Sequence, residues 1–206
     1  MSGTAPPVLC LASASPRRRE LLHQIGVPHL VLASGADESA LPGEDAGHYA
    51  ARVALAKGEA AWAQAAARRG LPVLAADTTV VLDGRMLGKP ATREEGVGML
   101  LALAGRTHEV LTAIVLLAGD PPRPTPRGCV VRSEVRFGSI DAATAARYWD
   151  SGEPRDKAGG YAVQGLGATF VAGLAGSYSG VMGLPLFETA ALLREAGIPV
   201  WGSPVP

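Results

Sequence analysis

The chain has 206 residues, enough to bury a sizeable core, and reads as one domain, 1–206, with room for two lobes. Nineteen Lys and Arg balance nineteen Asp and Glu, so no excess charge directs it to a nucleic-acid polymer or an acidic membrane; a small anion, which answers to local charge, stays open. Cys10 and Cys129 both lie in apolar runs, which predicts two buried, reduced thiols rather than a disulfide or metal pair.

Val8 to Ala12 is a short apolar run that reads as a buried strand, too short for a signal peptide. It stops at Ser13-Ala14-Ser15-Pro16-Arg17-Arg18-Arg19. Ser15 suits a helix N-cap, Pro16 the first helical position, and Gly26 the end of the helix that Leu21, Leu22 and Ile25 stripe. A strand feeding a helix N-terminus aims free N–H groups and the positive dipole end at one point, here ringed by hydroxyls and arginines. That arrangement suits phosphate, although an ordinary capped helix with a solvated basic turn would read the same way. No GxxxxGK[ST] occurs, so it is not a P-loop.

A second strand, Val27 to Leu32, leads into a polar loop holding Glu38, and an Ala-rich helix is predicted from about Asp45 to Arg69 with Tyr49, Val53 and Ala60 inward. Lys57 follows Val53 by one turn, either as a ligand or as a snorkelling surface lysine. Val73 to Leu82 is the strongest strand signal, and Asp77 interrupts its apolar and β-branched run. A carboxylate buried there needs a cation, a metal or several donors. Asp83-Gly84 predicts a type I′ turn returning through Arg85-Met86-Leu87. Continued register would set Thr78 opposite Lys89 and so bring a lysine beside Asp77. Thr92 to Glu95 is a capping box for a helix that Gly105 closes. Two strands, Glu109 to Leu117 and Cys129 to Phe137, flank a Pro-rich surface loop, Asp120 to Arg127. A short helix from Asp141 to Trp149 precedes an irregular Gly-rich stretch, Gly152 to Gly183, which presents Asp156, Lys157 and Gln164. Those charges suit either a plain turn or a ligand-facing loop, where glycine allows close approach. A last helix runs from Pro185 to Glu195, and 198–206 forms a loose or docking tail.

Alternation of strands and helices makes this an α/β chain. No HExxH, GxSxG or GxGxxG occurs, and no Ser–His or Cys–His nucleophile is evident. The inventory is cationic and hydroxyl donors (Ser13, Ser15, Arg17, Arg18, Lys57, Lys89, Lys157) with a few acids (Glu38, Asp77, Asp156). It points to metal-assisted attack of water on a phosphoryl centre.

Seven blocks carry a family resemblance: Leu11–Arg18, Ala76-Asp77-Thr78, Leu87-Gly88-Lys89-Pro90, Gly105–Val110, Asp156-Lys157-Ala158-Gly159, Gln164-Gly165-Leu166-Gly167 and Val181–Leu186. In this order they resemble the Maf-type nucleotide pyrophosphatases over nearly the whole chain; the Pro-rich loop and the tail lie outside. The resemblance implies a mixed central sheet flanked by helices, two lobes with a cleft as in the inosine triphosphate pyrophosphatases, and often a homodimer. It implies an enzyme that hydrolyses a nucleoside triphosphate to the monophosphate and pyrophosphate with Mg²⁺ or Mn²⁺; the cytoplasmic setting is expected separately, from the short first apolar run and the lack of any run of membrane-spanning length. Asp77 would be the general base and Glu38 its metal or water partner. Ser13, Ser15, Arg17, Arg18, Lys57 and Lys89 would hold the triphosphate, while Asp156 and Lys157 would line the site. Arg17, Thr78 and Gln164 match the branch that acts on dTTP and UTP, whereas the 7-methyl-GTP branch carries Trp, Gln and Glu there. A nucleotide-binding regulator of septum formation is the reading from a different class.

Overall fold

A computed structural model describes residues 6–66, 70–119 and 123–201. Among the described residues seven strands form one mixed sheet with order β2-β1-β3-β5-β6-β7, β4 pairing with β3. The strands are β1 (Leu9–Leu11), β2 (His29–Val31), β3 (Val73–Leu82), β4 (Arg85–Leu87), β5 (Thr107–Ala118), β6 (Thr125–Phe137) and β7 (Val171–Ala175). The helices are α1 (Pro16–Gln24), α2 (Ala46–Ala66), α3 (Arg93–Leu103), α4 (Ala142–Asp150), α5 (Tyr178–Met182) and α6 (Leu186–Glu195). β1 pairs in parallel with β2 and β3, and β3–β4 and β6–β7 are antiparallel. This is the mixed α/β architecture expected from the sequence. No helix among the described residues is long and apolar enough to cross a membrane.

The described residues fall into two compact units. The first draws on Met1–Asp77, Ala113–Val130 and Gly183–Pro206, the second on Thr78–Thr112 and Val131–Met182. In the first, Ala54, Ala61, Trp62 and Ala65 of α2 pack with Cys10, Val73, Ala75, Val115 and Leu117. The second gathers Val80, Leu100, Leu103, Val135, Phe137, Tyr148 and Tyr161.

Several elements follow directly from their residues. Gly26 (φ 64°) ends α1, its N–H donating to the His23 carbonyl at 2.9 Å. Positive φ at Asp83 (50°) and Gly84 (74°) gives the I′ turn, and Leu82 faces Arg85. Thr92 Oγ1 accepts from the Glu95 N–H at 3.2 Å, while the Glu95 carboxylate accepts from Ala91 N–H rather than from Thr92.

Other expectations are corrected. The inward face of α2 runs through Ala50, Val53, Ala54, Lys57, Ala61, Trp62 and Ala65, with Tyr49 and Ala60 half-buried at its margins. Alanine all round a helix leaves apolar spacing little power to mark the buried side. Residues 67–69 of the expected helix lie outside the described residues. Strand β6 starts at Thr125, inside the expected Pro-rich loop, whose residues 120–122 also lie outside the described set. Cys10 is buried, but Cys129 is exposed, because Thr125 to Val130 is uncovered on both faces of the strand. The Gly-rich stretch contains short 3₁₀ turns at Glu153–Asp156, Ala158–Gly160 and Leu166–Phe170, then β7 and α5.

Candidate active site

Asp77 sits in β3 with 6% of its surface exposed, at the end of the run Val73-Leu74-Ala75-Ala76 that buries the strand in the first unit. Lys57, 8% exposed, meets it from α2. The lysine lies on the inward face of the helix one turn after Val53 and Ala54, so its stem is packed and its ammonium is delivered to the strand. Lys57 Nζ donates to Asp77 Oδ1 at 2.8 Å and lies 2.9 Å from Glu38 Oε1. One ammonium thus bridges two carboxylates. Removing Lys57 would leave the buried Asp77 carboxylate without its ion-pair partner, a loss of roughly 3–5 kcal/mol for such pairs, whereas removing Asp77 would leave the ammonium on Glu38.

Around this bridge lies the turn after β1. Ser13, 7% exposed, presents Oγ to the Ser15 N–H and to Arg18 Nη1, each at 3.2 Å. Arg18 Nε donates to the Gly183 carbonyl at 2.7 Å. Burial pulls the Arg18 guanidinium below its ordinary value; Asp77 and Glu38 oppose that pull and Arg17 adds to it. Ser15 begins α1 as its N-cap residue, but its side chain makes no capping bond. The first unit therefore gathers Ser13, Arg18, Glu38, Lys57 and Asp77, with Ser15 and Arg17 on the same turn.

The lysine at Asp77 is Lys57 and not, as register alone suggests, Lys89. The β3–β4 ladder runs only as far as Val80↔Leu87, and Lys89 is exposed beyond it. Gly88 has left the ladder, its carbonyl accepting from the Gly159 N–H at 3.0 Å. In the second unit, Thr78 Oγ1 lies 3.0 Å from Thr112 Oγ1, which in turn donates to the Gly180 carbonyl. Lys157 Nζ donates to Asp156 Oδ1 and to the Glu153 carbonyl, each at 2.6 Å, and Gln164 is exposed. The Glu153 carboxylate accepts from the Tyr148 hydroxyl and from the N–H groups of Leu166 and Gly167, so it ties this loop together.

A family model described as Maf-like protein matches residues 8–196. This chain belongs to the Maf family. The Maf chain is 53% identical over 201 residues to the dTTP/UTP pyrophosphatase of Bordetella parapertussis, covering 95% of each. Its identity to the enzyme of the same name from Bordetella avium is 52% over 198 residues, with 93% of this chain and 96% of that one covered. The Burkholderia pseudomallei relative, also a dTTP/UTP pyrophosphatase, is 52% identical over 201 residues, covering 93% and 95%. Among solved structures, the Staphylococcus aureus Ham1 protein matches with a TM-score of 0.42 and 16% identity, over 63% of this chain and 71% of that one.

Two features of the Maf chain escape sequence reading. Tyr49 and Arg52, three apart on α2, hold the main chain of Glu38 and Ser39, and Glu153 organises its loop. Spacing on the helix was a usable signal for the first pair; nothing local marks Glu153, whose partners come from α4 and from a turn 13 residues on.

The donor set suits a hard divalent cation. Among the described residues no group of three His, Cys, Asp or Glu converges, but Glu38 and Asp77 share one locus through Lys57. Mg²⁺ is commonly held by one or two carboxylates together with water and substrate phosphates, which matches such a pair.

Proposed function

We propose that this Maf chain is a nucleotide pyrophosphatase that hydrolyses nucleoside triphosphates, dTTP and UTP above others, to the monophosphate and pyrophosphate. The observation that carries the reading is the buried Lys57 bridging Asp77 and Glu38 beside the Ser13–Arg18 turn. Support for the substrate comes from the names of the relatives and from Arg17, Thr78 and Gln164.

Water adds across the α–β phosphoanhydride, its proton passing to Asp77 and pyrophosphate departing. Ser13, Ser15, Arg17 and Arg18 supply donors to the triphosphate and Lys57 adds positive charge; the motif blocks that hold Lys89, Asp156 and Lys157 add these three as further nucleotide-contacting residues. Such fixed donors are effective because they meet charge that grows in the transition state. Glu38 and Asp77 would hold a divalent cation, which when bound supplies Lewis-acid charge against the phosphates. A pure binder would need the phosphate grips but no buried carboxylate among them.

Purified protein and an Asp77→Asn variant, incubated with Mg²⁺ or Mn²⁺ and a panel of dTTP, UTP, CTP, GTP, ATP and 7-methyl-GTP, test this. Pyrophosphate should appear from dTTP and UTP, cease on chelation of the metal, and fall by at least about a hundredfold in the variant, the usual scale for loss of a general base. Turnover of 7-methyl-GTP instead would overturn the specificity. Nucleotide binding without turnover would favour the septum regulator.

A further inference from the structure

Glu38 lies in a segment, 32–41, without helix or strand, and its side chain is 44% exposed. No ladder holds a carboxylate in such a place, yet it reaches Lys57 at 2.9 Å. The reason lies on α2. Tyr49 Oη donates to the Glu38 carbonyl and Arg52 Nη2 to the Ser39 carbonyl, both at 2.9 Å. Tyr49, Arg52 and Lys57 follow one another along the helix, so three side chains grip two consecutive loop residues at main chain, main chain and carboxylate.

Glu44 closes this arrangement. Its oxygens take the Arg52 fork at 2.6 Å (Nε) and 2.7 Å (Nη2), and Oε2 also accepts from the Leu41 N–H at 3.1 Å. The guanidinium lies 5.6 Å from the centre of the Tyr49 ring. An exposed ion pair would count for little. This one is bidentate, its Glu44 side chain is 9% exposed, and the same Nη2 also binds the loop.

We propose that Tyr49, Arg52 and Glu44 form a clasp that positions the Glu38 carboxylate on Lys57, the three acting as positioning residues through the main chain of Glu38 to Leu41. The inference rests on the function proposed above for Glu38. Its logic is that small misplacements of a reacting constellation cost rate, whereas ground-state grip on the nucleotide belongs to other groups.

The test compares the full-length protein with Tyr49→Phe and Arg52→Gln, each also in a Glu38→Gln background, by amide hydrogen exchange and by steady-state kinetics on dTTP. The Leu41 amide should exchange about tenfold faster in both single variants, the scale of one lost hydrogen bond, with β1 amides unchanged. By the same measure kcat should fall about tenfold while KM stays within about twofold, and Arg52→Lys should restore part of the loss. In the Glu38→Gln background neither substitution should lower kcat further. Wild-type exchange at Leu41 in both variants, or an equal loss of kcat in that background, overturns the clasp. Wild-type protein that hydrolyses no nucleotide overturns the proposed function, and the clasp's catalytic purpose with it; the exchange data would then show separately whether the loop is held.

Discussion

His108 lies on β5 with 2% of its surface exposed, Nε2 2.8 Å from the Tyr161 hydroxyl and Nδ1 buried without a hydrogen-bond partner among the described residues. Its ring meets Phe137 and Tyr161 edge-on at 4.9 and 5.4 Å. Burial pushes the imidazole down to about 4, so the native protein keeps it neutral where an unfolded chain, titrating near ~6.5, does not. Between those two values the unfolded state binds a proton that the native state refuses, so stability falls as pH falls through that window and is unaffected by this group above it. The full span corresponds to about 3 kcal/mol. Unfolding in urea at a series of pH values should show this slope, and a His108→Phe variant should lose it. A wild-type curve flat from pH 6.5 to 4 would contradict the assignment. The Lys57 bridge belongs to this scale too: a helical lysine gains a partner only when the helix is docked against β3.

At the scale of elements, close packing is set by glycine at a few positions. In the second unit α3 crosses α4 where a Cβ on Gly96 would overlap the Trp149 ring, itself largely buried. Gly96→Ala gains about 1 kcal/mol of helix propensity but must displace an indole held in a packed core, an overpacking cost of about 1–3 kcal/mol. The expected net result is a lowered urea midpoint with unchanged m-value; a raised midpoint would mean that the two helices can part at no cost. Helix α2 uses the same device, since a Cβ on Gly58 would lie 2.7 Å from Leu117 Cδ1. The hairpin β3–β4 was legible to the residue because Asp-Gly dictates its turn. The end of its ladder was not, because it depends on the Gly159 N–H that takes the Gly88 carbonyl.

For the whole molecule, the first unit is assembled from three separate stretches of chain and the second from two. The core of the first needs Ala113, Val115 and Leu117 of β5 against α2. A truncated chain, 1–77, would carry Ser13, Arg18, Glu38, Lys57 and Asp77 yet lack that surface, and it is expected to remain unfolded. Circular dichroism and amide dispersion would check this; a cooperative unfolding transition in the fragment would refute it.

What the sequence determined by itself was local or additive: the I′ turn at Asp83-Gly84, the cap at Thr92, the buried run of β3 around Asp77, and the motif blocks that mark the family. Each rests on backbone preference or burial within a few residues. The tertiary structure decided which lysine meets Asp77, which face of the Ala-rich helix turns inward, why Cys129 stays exposed, and how a loop without regular structure holds Glu38. Those outcomes depend on the packing of separate elements, with contacts between residues 11 to 20 or more positions apart, and no local pattern encodes the distance between two side chains before their elements are packed.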